Sequence, residues 1–119
     1  MGWVKPAKIL MKGTDMAEIE FVAVAPIEEL PVGERLFIEL DGKPIVVMNV
    51  SGIIYAIGDV CTHDDGPLGE GEVDGFEIIC PRHGARFDLR NGKAVSLPAV
   101  TDTTWYPTRV KDGIVEIGI

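Results

Sequence analysis

An all-antiparallel β domain is the architecture that this 119-residue chain predicts. Three observations lead there. Turn dipeptides recur as Asp41-Gly42, Ser51-Gly52, Asp74-Gly75, Asn91-Gly92 and Asp112-Gly113. Each sets a residue that tolerates positive φ before a glycine, which suits tight hairpin turns. The runs between them are short and apolar or alternating, and no segment carries a long helical period. Together these features imply a sandwich or a small barrel.

The elements follow in order. Met1 to Asp15 shows no periodicity, and Met16 looks like a second possible start, so residues 1–15 read as a poorly ordered N-terminal extension and residues 16–119 as a single domain. Phe21–Val24 is a strand candidate. Pro26–Leu30 fits one helical turn, ended by Pro31 and Gly33. Further strands are expected at Leu36–Leu40, Ile45–Val50, Ile53–Ile57, Phe76–Ile79, Arg86–Leu89, Lys93–Val95, Thr104–Val110 and Ile114–Ile117. Trp105-Tyr106-Pro107 belongs to one of these strands, and Trp3 and Trp105 read as packing residues.

Composition narrows the partners. The net charge is −8, and residues 1–15 are positive while the remainder is more acidic still. Such a surface repels nucleic acid and anionic membrane and suits a basic patch on a protein partner. Met1–Leu10 is interrupted by Lys5, Pro6 and Lys8, so it is neither a spanning helix nor a secretory signal. The expected location is the cytoplasm.

The chemistry concentrates between Cys61 and His83. The chain has two cysteines and two histidines, and all four lie there, as Cys61 with His63 and Cys80 with His83. Each pair follows a predicted strand end, and the hairpin turning at Asp74-Gly75 would bring the two loops together. A disulfide needs no histidine beside each cysteine, and a reducing compartment keeps thiols available for metal. Zinc, mononuclear iron and a binuclear cluster are the alternatives. Structural zinc sites usually pair Cys with Cys and His with His. The interleaved order here is the one that a Rieske-type [2Fe–2S] centre needs, with two Cys on one iron and two His on the other.

C-x-H-x16-C-x2-H, with Gly84 after His83 and then Phe87-Asp88, resembles the Rieske ferredoxins of bacterial ring-hydroxylating oxygenase systems. The resemblance covers roughly residues 18–118. It implies a three-sheet antiparallel Rieske fold, with a cluster-binding subdomain at about 59–98 inserted into a β base. It implies one [2Fe–2S] cluster held by Cys61, His63, Cys80 and His83, with the histidine-bound iron nearest solvent. Three loops would enclose it, the third being Leu97-Pro98-Ala99. Gly66 and Pro67 would shape the first loop, Leu68 would shield the cluster and Pro81 would stiffen the second loop. Asp64 and Asp65 are candidate docking charges, and Arg82 and Arg86 candidates for balancing cluster charge or pairing with Asp88. The implied function is one-electron transfer from a flavin-dependent ferredoxin reductase to a terminal oxygenase, by a monomer. The alternative is the small Rieske subunit of a nitrite reductase-type complex.

The resemblance also implies a low potential. Two neutral imidazoles leave the oxidised cluster uncharged and place such centres at about −150 to +300 mV. High-potential relatives in respiratory and photosynthetic complexes add two cysteines forming a disulfide, and serine and tyrosine hydroxyls aimed at cluster sulfurs. This chain has Gly66 and Arg82 for the cysteines, Ala85 for the serine and Phe87 for the tyrosine. The low end of the range is therefore expected. Both histidines are spent on the cluster, so the two-histidine, one-carboxylate iron site of a full Rieske oxygenase is not available. The chain also ends where a Rieske domain ends, so it reads as a carrier and not an enzyme.

Overall fold

The computed structural model describes residues 7–10, 18–62, 66–82, 84–97 and 101–119. Among the described residues eleven strands make three antiparallel sheets. In chain order they are β1 (Ala7–Leu10), β2 (Glu18–Pro26), β3 (Arg35–Leu40), β4 (Lys43–Val50), β5 (Ile53–Gly58), β6 (Val73–Asp74), β7 (Glu77–Ile79), β8 (Arg86–Asp88), β9 (Trp105–Tyr106), β10 (Thr108–Lys111) and β11 (Ile114–Gly118). The first sheet runs β1-β2-β11-β10, the second β3-β4-β5-β9 and the third β6-β7-β8. A 3-10 turn at Ile27–Glu29 occupies the expected helical turn.

Strand β4 explains the layering. Ile45 to Asn49 is buried without a break, whereas a strand with one wet face alternates. The two sides of β4 serve different cores. Ile45 and Val47 join Leu30, Ala56, Val115 and Ile117 between the first two sheets. Val46 and Met48 join Ile57, Leu68, Ile78, Phe87, Leu89 and both cysteines on the other side. The second sheet is thus a shared wall, one face on the first sheet and one on the cysteine-bearing region. Asn49 is the polar exception. Its Nδ2 donates to the Leu30 carbonyl at 2.8 Å and its Oδ1 accepts from the Gly52 amide at 2.9 Å, so burial leaves neither end of the amide unmatched.

The hairpin turns are mostly as expected. Asp41-Gly42, Ser51-Gly52 and Asp112-Gly113 have positive φ at both residues, the type I′ signature. The third-sheet hairpin differs by one residue. Val73 pairs with Ile78 and Asp74 with Glu77, so the turn is Gly75-Phe76, not Asp74-Gly75. Only its first residue has positive φ, as in a type II′ turn. Lys93–Val95 is not a strand; a single bridge joins Ala94 to Phe87. Thr104–Val110 is broken at Pro107, with β9 in the second sheet and β10 in the first. Proline has no amide hydrogen for a ladder, so the chain changes sheets there.

Two features were not announced by the pattern. Ala7–Leu10 pairs with β2 although the sequence around it shows no period. The partner edge, not local propensity, makes that strand. Strands β5 and β9 are hydrogen-bonded neighbours, and residues 59–104 lie between them in sequence. The Gly58 amide donates to the Thr104 carbonyl at 2.8 Å and closes the neck of this insertion. Trp3 lies outside the described residues. Trp105 is half-exposed.

Candidate metal centre

The insertion carries the four sequence-predicted ligands. Cys61 follows β5 and Cys80 follows β7, each at a strand exit. They are 0% and 1% exposed, and no disulfide joins them. Both belong to the apolar cluster that contains Leu68, Ala85 and Phe87. Tight turns aim them inward. The Cys61 amide donates to the Gly66 carbonyl at 2.7 Å. The Cys80 amide donates to the Ala85 carbonyl at 2.7 Å, and the Gly84 amide returns to the Cys80 carbonyl at 3.0 Å. Gly84 has φ +77, a conformation that closes this short turn at little cost to glycine. His63, Asp64, Asp65 and His83 lie outside the described residues, as do Pro98 and Ala99 of the third loop. Leu97, its described member, is 77% exposed.

Two buried cysteine side chains on separate loops, not joined by a disulfide and enclosed by apolar side chains, are the donor set that the inner iron of a histidine-and-cysteine-ligated cluster requires. The lining adds no hydroxyl where relatives of high potential carry one. Ala85 and Phe87 are both fully buried, so the positions point into the core and present only carbon.

The first loop is held from outside. The Asp59 carboxylate accepts the amides of Leu68, at 2.9 Å, and Gly69, at 2.5 Å. Arg35, on β3, donates through one Nη1 to the carbonyls of Gly69 and Gly71. Gly71 has no room for a side chain, because a Cβ there would sit 1.8 Å from the Ile79 carbonyl oxygen. Sequence reasoning missed Arg35 and Asp59 as site residues. The one signal was the Gly69-Glu70-Gly71 spacing, which marks close backbone approach. The third loop is tied at both ends. Thr62 Oγ1 donates to the Thr101 carbonyl, and Ser96 Oγ accepts the Arg86 amide at 3.1 Å.

Charges on the third sheet pair differently from expectation. Arg86 donates to Asp74 and Glu77, each at 3.1 Å, and not to Asp88. Asp88 instead accepts from Arg90, at 3.0 Å from Nε and 2.8 Å from Nη2. Arg90 also lies over the Phe76 ring, 4.4 Å from its centroid. The Arg90 hydrogen bonds hold the Asp88 carboxyl below the usual carboxylate range. A depressed carboxyl stabilises the fold above its unfolded pKa of about 4, and that contribution is lost as pH falls through the folded value. Asp88→Asn is therefore expected to be less stable than the parent at pH 7, with the gap closing in acid below about pH 4. Denaturant unfolding at both pH values reads this directly, and a gap unchanged by pH would exclude it.

Residues 20–107 match the Rieske [2Fe-2S] domain. The chain belongs to that family. A 3-phenylpropionate/cinnamic acid dioxygenase ferredoxin subunit of Escherichia coli is 37% identical over 100 residues, covering 82% of this chain and 92% of that one. The ferredoxin of carbazole 1,9a-dioxygenase from Nocardioides aromaticivorans superposes with a TM-score of 0.76 at 30% identity, covering 82% of this chain and 95% of that one. A chain in the complex of reduced oxygenase and oxidized ferredoxin of carbazole 1,9a-dioxygenase gives 0.75 at 31% identity, covering 82% and 91%. An NADH-dependent nitrite reductase small subunit from Mycobacterium tuberculosis gives 0.76, but at 19% identity it shares the fold alone. The Rieske assignment brings with it one [2Fe–2S] cluster, and the three-sheet antiparallel architecture is the one expected for it.

Proposed function

We propose that this Rieske protein is the ferredoxin component of a ring-hydroxylating oxygenase system, a one-electron carrier and not itself a catalyst. The observation that carries the reading is the pair of buried cysteines, not joined by a disulfide, on two loops of a Rieske insertion. Cys61 and Cys80 would hold the inner iron through sulfur, and His63 and His83 the outer iron through imidazole. When bound, the cluster supplies a reversible one-electron couple. The chain's own part is to exclude water with Leu68, Ala85 and Phe87 and to present the histidine side to a partner.

A relative seen in complex with its oxygenase supports a terminal oxygenase as electron acceptor; a flavin-dependent reductase is the donor that we propose. The excess of 19 acidic over 11 basic residues favours basic docking patches on both. We place the functional domain at residues 16–119, to which β1 adds an edge strand, with the cluster-binding part at about 59–98, in a cytoplasmic monomer. Among the described residues no helix is long and apolar enough to cross a membrane. The nitrite reductase-type alternative rests on fold likeness only, and the oxygenase reading is favoured over it.

Purification without air tests this. The expected product is red-brown, with a Rieske-type visible spectrum, an EPR signal after reduction and about two irons per chain. A colourless protein containing zinc refutes it.

A further inference from the structure

The segment Leu68–Gly71 packs beside the two cysteines, and two charged side chains, Asp59 and Arg35, hydrogen-bond its backbone. Leu68 is fully buried in the same cluster as Cys61 and Cys80. Its own turn is weak, a single bond from the Gly71 amide to the Leu68 carbonyl at 3.0 Å. Four further backbone groups of the segment are matched by Asp59 and Arg35. Asp59 takes the amides of Leu68 and Gly69, and Arg35 takes the carbonyls of Gly69 and Gly71. Hydrogen bonds to ionised groups are the strong kind. The anchors are themselves fixed in the second sheet. Arg35 is the first residue of β3, and the Asp59 amide donates to the Pro44 carbonyl of β4 at 2.9 Å. Gly69 fits the wall closely, since a Cβ there would come within 2.7 Å of the Phe37 ring and 2.9 Å of Val46.

We infer that Asp59 and Arg35 are positioning residues that latch Leu68 over the cysteine sulfurs, keeping water from the cluster and thereby helping to set its potential and lifetime. This rests on the carrier reading above. Neither residue touches the ligands through its side chain in the contacts just described. Both act through the backbone of this segment.

Two substitutions at one position separate latch from charge. Asp59→Asn loses the charge but keeps an oxygen that accepts both amides. Asp59→Ala loses both. The latch predicts that, in the oxidised holoprotein, D59A loses its visible spectrum to a chelator about tenfold faster than the parent, equivalent to about 1.4 kcal/mol. D59N stays within about twofold of the parent. Amide exchange at Leu68 and Gly69 accelerates in D59A and much less in D59N. Water admitted to the pocket favours the more charged, reduced cluster, so the D59A potential lies above that of D59N. Arg35→Met, compared with Arg35→Lys, repeats the contrast from the other side should D59A not fold. Equal bleaching, exchange and potential in D59A and D59N overturn the inference, because charge or general stability would then account for the residue. Absence of a Rieske spectrum in the parent protein would defeat the carrier reading instead, so the two failures are distinguishable.

Discussion

Gly71→Ala is expected to cost about 3–5 kcal/mol of stability and to abolish cluster loading at physiological temperature. The added Cβ would lie 1.8 Å from the Ile79 carbonyl oxygen and 2.8 Å from its carbon. Both are backbone atoms of β7, so no rotamer change relieves the clash. Either the Leu68–Gly71 segment lifts or β7 moves, and β7 leads straight to Cys80. Moving it also breaks the bond from the Ile79 amide to the Glu72 carbonyl, 2.8 Å long. The effect differs from that of a strained turn. Gly71 is not among the positive-φ glycines, so alanine is excluded by crowding and not by backbone conformation. Gly113→Ala, where φ is +78 and nothing lies within 4 Å, is the control, with an expected cost of about 1 kcal/mol. Thermal unfolding and iron content of both variants check the contrast. A G71A protein with full iron and near-parental stability would remove the close approach as a constraint.

Ala85→Ser and Phe87→Tyr are expected to raise the midpoint potential, by about 60 mV each if the new hydroxyl stabilises the reduced cluster by about 1.4 kcal/mol more than the oxidised one. The sign follows from charge. Reduction adds an electron to a site of low dielectric, and a donor to sulfur offsets it. The two positions suit the test because both are fully buried in the cysteine cluster. A hydroxyl there either reaches a sulfur or is stranded. A stranded hydroxyl costs stability and leaves the potential unchanged, which would count against the placement of that side chain toward the cluster. The parent value itself is expected near the low end of about −150 to +300 mV. A redox titration well above zero would contradict the role given to Ala85 and Phe87.

Much of this protein was legible in its sequence, for identifiable reasons. Turn dipeptides such as Asp41-Gly42 and Ser51-Gly52 encode their conformation locally, and they close the hairpins read from them. The four clustered Cys and His residues encode a chemistry by type and order. Pairings that depend on distant edges were not legible. Strand β1 exists by virtue of β2, and the break at Pro107 becomes meaningful only once β9 and β10 are seen in different sheets. Ion pairs were also misjudged. Arg86 and Asp88 are two apart on one strand and so share a face, yet Arg86 reaches across to Asp74 and Glu77 while Asp88 is taken by Arg90. Arg35 and Asp59 were invisible because their work is done on backbone groups 34 and 9 residues away.

The pairing of β2 with β11 has a consequence for how the chain is made. Strands β3, β4 and β5 form a continuous meander and can fold as they leave the ribosome. The first sheet cannot close then, because Phe21 to Pro26 must wait for Ile114 to Gly118. During synthesis the face of the second sheet bearing Ile45, Val47 and Ala56 has no cover. Emergence of β11 is therefore the event that lets the first sheet cover that face. A truncation that removes only β11 should leave a nascent chain dependent on chaperones, even with all four proposed cluster ligands already synthesised.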